Sequence, residues 1–171
     1  MPNVASSILS VTLAAGLAAT AIAAETADKE HAELAKALAA AKVSLGHGLT
    51  AAATTGKPIS AKFEAEDGKL QLSVYTEKAG KFSEVVVDPV TGKVAKSEAI
   101  TEGEDLTHAK AQSEAMAKAK VSLATAVSKA VVGNSGFHAV SVFPSVKDGH
   151  PMAEVSLHKG AEWKTAVEKL D

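Results

Sequence analysis

The pentapeptide Ala41-Lys42-Val43-Ser44-Leu45 returns unchanged as Ala119-Lys120-Val121-Ser122-Leu123, an offset of 78 residues. The register holds beyond it. Leu49 meets Val127, Ala52 meets Ala130, Ile59 meets Phe137 and Ala61 meets Ala139. Past a short insertion the offset becomes 81, where Asp67-Gly68 meets Asp148-Gly149, Val74 meets Val155, Lys78 meets Lys159, Phe82 meets Trp163 and Val86 meets Val167. Self-similarity at one spacing means that one small unit is built twice, so whatever the first half folds into the second must also fold into.

Each unit opens with helical spacing and then changes period. Leu34, Leu38, Ala41, Leu45, Leu49 and Ala52 recur every three or four residues, as do Met116, Ala119, Leu123, Val127 and Ala130. Thr26 or Asp28 is the expected cap of the first helix and Asp105 that of the second. Gly56-Lys57-Pro58 and Gly133-Asn134-Ser135-Gly136 are the expected stops, and Gly46 and Gly48 suggest a kink or fraying in the last turns of the first. From Ile59 the apolar residues alternate: Ile59, Ala61, Phe63 and Ala65 against Ser60, Lys62 and Glu64, a strand with one wet face. Asp67-Gly68 and Ala79-Gly80 are tight-turn pairs that join it to Leu70–Val74 and Phe82–Asp88. The second unit repeats this as Phe137–Phe143, Met152–His158 and Trp163–Lys169. The expected fold is therefore α+β: two tandem units, each one helix on an antiparallel sheet of three to four strands.

The first 24 residues stand apart. No charged side chain precedes Glu25, and the apolar run Val4–Ala24 closes on Ala21-Ile22-Ala23-Ala24, small residues suited to a signal peptidase. This gives a division into a leader at 1–24 and two repeats at 25–100 and 101–171. The leader has no Lys or Arg before its apolar stretch, so either the amino terminus supplies the positive charge or the true start lies upstream. The expected location is periplasmic or secreted, in a bacterium, with no permanent membrane anchor after cleavage.

Composition removes several functions. Net charge is −2, all 18 basic residues are lysines, and cysteine is absent. A nucleic-acid partner needs a cationic surface, and bidentate capture of phosphate or carboxylate needs arginine. Thiol catalysis, Cys-ligated zinc, iron–sulfur clusters and disulfides all need cysteine. No Gly-x-Ser-x-Gly elbow, His-x-x-x-His helix pair or phosphate loop occurs, and the carboxylate pairs Glu64/Glu66 and Glu102/Glu104/Asp105 read as solubility and helix-start charges. The chain is expected to be no enzyme and to carry no cofactor.

Phe63-Glu64-Ala65-Glu66-Asp67-Gly68-Lys69-Leu70, followed by Phe82 to Val94 with its Val87-Asp88-Pro89-Val90-Thr91-Gly92-Lys93-Val94 ending, resembles the PepSY domain. The resemblance is close over about 41–96 and looser over about 119–171, which stops at Asp171, where the turn and closing strand would begin, so a sheet one strand short is the expectation there. It implies an exported α+β protein of cystatin-like form, which in some members inhibits a peptidase as its propeptide. Read on their own, Asp88-Pro89-Val90-Thr91-Gly92 make a turn: Pro fixes φ, the Asp side chain bonds backbone amides and Gly takes positive φ.

The functional expectation is an exported binding or regulatory module whose partner is another protein or peptide, such as an envelope peptidase. The residues singled out for contact are Tyr75, Phe82 and Trp163, with core filling as the competing role. The alternative is a periplasmic metal-binding protein using His138, His150 and His158 of the second sheet.

Overall fold

The computed structural model describes residues 19–66 and 68–171. Most of the expected leader, and Asp67 of the first tight turn, lie outside them. Four helices and seven strands follow in the order α1 (Ala19–Leu38), α2 (Leu45–Ala52), β1 (Lys57–Glu66), β2 (Lys69–Lys78), β3 (Lys81–Val87), β4 (Val94–Ile100), α3 (Gly103–Lys118), α4 (Leu123–Val132), β5 (His138–Lys147), β6 (His150–Lys159) and β7 (Glu162–Lys169). The strands form one antiparallel sheet ordered β4-β3-β2-β1-β5-β6-β7. The fold is α+β, and its two halves meet inside the sheet, where Ala61 faces Val142 and Lys62 faces Ser141.

The hairpins follow the sequence. Ala79 and Gly80 have φ of 52° and 76°, and Asp148 and Gly149 have 52° and 83°, the left-handed pairs that match the twist of a two-residue hairpin. β5, β6 and β7 begin 81 residues after β1, β2 and β3. The offset already holds at the first strand, so the insertion lies in the helix–strand connection. Ile59 therefore corresponds to Val140 and Ala61 to Val142, rather than to Phe137 and Ala139. Both central strands carry an irregularity at the same place, between Pro58 and Ser60 and between Ala139 and Ser141.

The expected single helix of each half is two helices. The repeated pentapeptide, read above as part of a helical stripe, is the break. The amides of Lys42 and Val43 donate to Pro89 O at 2.9 and 3.2 Å, while those of Lys120 and Val121 donate to Leu170 O at 2.6 and 2.9 Å. A break between two helices leaves backbone donors without helical partners, and here a carbonyl just beyond a sheet strand takes them. The serine then caps the next helix: Ser44 Oγ accepts from the His47 amide at 3.1 Å and Ser122 Oγ from that of Thr125 at 3.2 Å. Gly48 causes no kink. It lets α2 lie against the sheet, since a Cβ there would stand 2.5 Å from Leu72 Cδ2. Two expected caps are also displaced. α1 already runs through Thr26 and Asp28, and Glu102 precedes α3 with no side-chain cap, leaving Asp105 in the first turn.

The expectation of one wet face fails because helices lie on both sides. α2 and α4 cover one face, where Leu45, Leu49, Ala52, Leu123, Val127 and Ala130 bury against Leu72, Val74, Val85, Val87, Val142, Val155 and Leu157. On the other face Ser60 is fully buried and donates to Gln112 Oε1 of α3 at 2.7 Å. Alternation through the paired residues Lys62, Ser141, Ser156, His158 and Trp163 keeps that same face turned to α1, whose His31 stacks on Trp163 with ring centroids 4.3 Å apart. Among the described residues no helix is long and apolar enough to cross a membrane.

Leu72 in β2 and Leu157 in β6 have no exposed surface, so truncating either to alanine should cost about 2–5 kcal/mol. Because the sheet is shared, Leu72→Ala should shift the unfolding of Trp163, in the other half, as much as that of the backbone. Denaturant titrations followed by tryptophan fluorescence and far-UV circular dichroism check this. A Trp163 transition unmoved by Leu72→Ala would contradict it.

Candidate functional site

The Asp88–Val94 turn holds itself and the helix break together. Asp88 Oδ1 accepts from the amides of Val90 and Thr91 at 2.9 and 2.6 Å, and the Gly92 amide donates to Asp88 O at 2.8 Å. These donors hold the Asp88 carboxyl below the usual carboxylate range. Gly92 has φ of 72°, and a Cβ there would lie 2.3 Å from His47 Nε2. His47 Nε2 is 3.3 Å from Gly92 O, the right pairing for a ring N–H donor. The motif is thus a clasp: its turn fastens α2 through His47 and the α1–α2 junction through Pro89 O.

A carboxyl cluster sits on the face covered by α3. Lys62 Nζ pairs with Glu64 Oε2 at 2.7 Å, Ser73 Oγ donates to Glu64 Oε1 at 2.8 Å and Gln71 Nε2 donates to Ser73 Oγ at 2.8 Å. Beside them Tyr75 faces Glu84 across β2 and β3. Glu84 Oε1, and Asp105 Oδ1 of α3, are buried with no hydrogen-bond partner among the described residues. Burial pushes the Glu84 carboxyl up, and Glu64 and Asp105 add to it. Ser73 and Lys62 oppose the shift, but the serine's single proton goes to Glu64. Burial first, and then Glu84, Asp105 and Glu64, also push the Tyr75 phenol up. The Ser73 hydroxyl is committed to Glu64, which is itself paired with Lys62, so the unpartnered carboxyl oxygens of the group, among the described residues, are those of Glu84 and Asp105. Glu84 escaped the sequence reading because its strand position looked solvated, and only the arrival of α3 buries it.

The residues singled out for contact are scattered. Tyr75 and Phe82 are 8% and 9% exposed, whereas Trp163 is half-buried between His31 and His158. Val167, on the same face of β7 as Trp163, is 55% exposed. Of the three histidines, His138 and His158 are cross-strand partners, but His150 sits at the far end of β6 with Nδ1 2.7 Å from Asp171 Oδ2. Eight residues of strand separate His150 from His158, roughly 26 Å. Among the described residues no three His, Asp or Glu side chains gather to hold a metal ion.

The sheet ends in two free edges among the described residues. β4 is exposed along Val94–Ala99, and β7 presents Glu162, Lys164, Thr165, Val167 and Lys169 to solvent. An open groove of about 410 Å³ between α2 and the α3–α4 junction, lined by Leu49, Ala53, Pro58, Met116 and Leu123, has the Lys57 ammonium at its wall. That ammonium already donates to Met116 O at 2.8 Å.

A broad antiparallel sheet with helices on both faces, clasped by an Asp-Pro-Val-Thr-Gly turn, defines an α+β module. Residues 32–98 match the family model described as "PepSY: Peptidase propeptide and YPEB domain", and the chain carries a PepSY domain over that stretch. No curated protein and no solved structure matches the chain.

A carboxyl whose folded pKa is raised favours the fold below its unfolded pKa and loses that contribution as pH rises through the folded value. Glu84→Gln keeps the shape and removes the ionisation. The variant should match the parent's thermal midpoint near pH 4 and exceed it at about pH 7–8. Melting curves at the two pH values check this, and a difference independent of pH would contradict it.

Proposed function

We propose that the protein is an exported, non-enzymatic binding module of PepSY type, and that it takes an extended segment of an envelope protein, a peptidase foremost, along the free edge of β4. The exposure of β4 along Val94–Ala99, at the rim of the family-matched segment, carries this reading. An edge strand offers a row of unpaired amides and carbonyls that an added strand completes, giving affinity through the backbone and selectivity through alternate side chains. The family's printed description, which names peptidase propeptides, supports a peptidase as the partner class. The residues around β4 suit recognition without catalysis: Val90 and Val94 are 44% and 39% exposed, and Lys96 and Glu98 pair with each other at 2.7 Å.

We further read the chain as two PepSY-type halves, 25–100 and 101–171, behind a leader at 1–24. The common strand offset, the paired irregularities at Ile59 and Val140 and the paired carbonyl clasps at Pro89 and Leu170 support the halves. Their shared sheet places β4 at one rim, clear of the seam.

Immobilised protein should capture, or in solution inhibit, a peptidase from the same envelope. Successive residues of a strand point their amides to opposite sides, so Ser97→Pro and Glu98→Pro between them remove one outward and one inward donor. At least one should lower capture about tenfold or more, the equivalent of a lost backbone hydrogen bond or two, while Trp163 fluorescence stays native. Inert behaviour across a peptidase panel, or capture indifferent to both prolines, would overturn the proposal.

A further inference from the structure

The opposite rim has a different character. β7 pairs with β6 without interruption from Glu162 to Lys169, and the ladder continues as the Leu170 amide donates to Pro151 O at 2.9 Å. Amide direction alternates along a strand. Leu170 points inward, so the backbone groups of Trp163, Thr165, Val167 and Lys169 point outward, with no strand paired to them among the described residues. In the first half the corresponding edge, that of β3, is covered by β4.

The geometry points to a second copy of this chain as the occupant of the β7 edge, paired antiparallel about Ala166. Two identical antiparallel strands can bond only where outward residues face outward residues, so the two-fold axis must pass through a residue. Centring on Thr165 sets Glu162 against Glu168 twice, a repulsive register. Centring on Val167 pairs no charges. Centring on Ala166 sets Lys164 against Glu168 twice on one face. On the other face it sets Thr165 against Val167 and Trp163 against Lys169, each twice. That register covers Val167, which is 55% exposed, and brings an ammonium to the half-buried indole. Opposite charges directly across a strand pair stabilise it and like charges oppose it, so the sequence of β7 selects one register and one partner. The result is an isologous dimer whose sheet runs through both copies, with each β4 rim left open.

Sedimentation of the full chain at rising concentration should show a monomer–dimer equilibrium. Lys164→Glu and Glu168→Lys each set like charges opposite each other twice and should weaken the dimer about tenfold or more. Mixing the two variants should restore it as a heterodimer, as should the double exchange Lys164→Glu/Glu168→Lys in one chain. Both side chains lie at the rim, and circular dichroism should report an unchanged fold. A parent that stays monomeric throughout, or a dimer that ignores the exchanges, would overturn the inference. Peptidase capture by the β4 edge is read separately and is unaffected by either result.

Discussion

Everything in this molecule hangs on the pairing of β1 with β5. Those two strands lie at the centre of the sheet, each with a hairpin partner on its outer side, and they touch through Ala61–Val142 and Lys62–Ser141. A half of this size, poor in aromatic side chains, buries little apolar area on its own. Joining the halves edge to edge pairs β1 with β5 and lets α2 and α4 lie side by side over one continuous floor. It also brings α3 onto strands of the first half, so that Gln112 meets Ser60.

The same constraint explains the repeated pentapeptide. If each half had one long helix, only one face of the sheet would be covered. Breaking it after the first helical stretch, with Lys42-Val43 or Lys120-Val121 tied to a carbonyl just beyond a sheet strand and Ser44 or Ser122 restarting the helix, supplies a helix to each face. The PepSY turn takes part in this device. Its Gly92 is fixed both by its positive φ and by the His47 ring packed against it.

Strands and tight turns were legible from the sequence because their determinants are local: period-two alternation and pairs such as Ala79-Gly80 and Asp148-Gly149 that accept positive φ. The helix break was not, because the spacing Leu38, Ala41, Leu45 fits an unbroken helix. The carbonyl that breaks it belongs to Pro89, far along the chain. The second cover of the sheet was hidden for a related reason. Ser60, Ser73 and Glu84 look like solvent-facing positions by chemistry, and only the path of α3 shows that they are enclosed. His138 and His158 face each other across the β5–β6 hairpin, whereas His150 lies at the other end of β6, a separation that counting residues along that strand already gives. Tyr75, Phe82 and Trp163 share one face by alternation, with Tyr75 and Phe82 buried and Trp163 half-buried against His31 of α1.

The central claim is that the two halves share a single sheet through the β1–β5 seam. Nuclear Overhauser contacts between backbone protons across that seam test it most directly. The account predicts close inter-strand contacts joining Ala61 and Lys62 to Val142 and Ser141 in the monomer, in antiparallel register. Contacts confined to β1–β2 and β5–β6, with none between the halves, would contradict it.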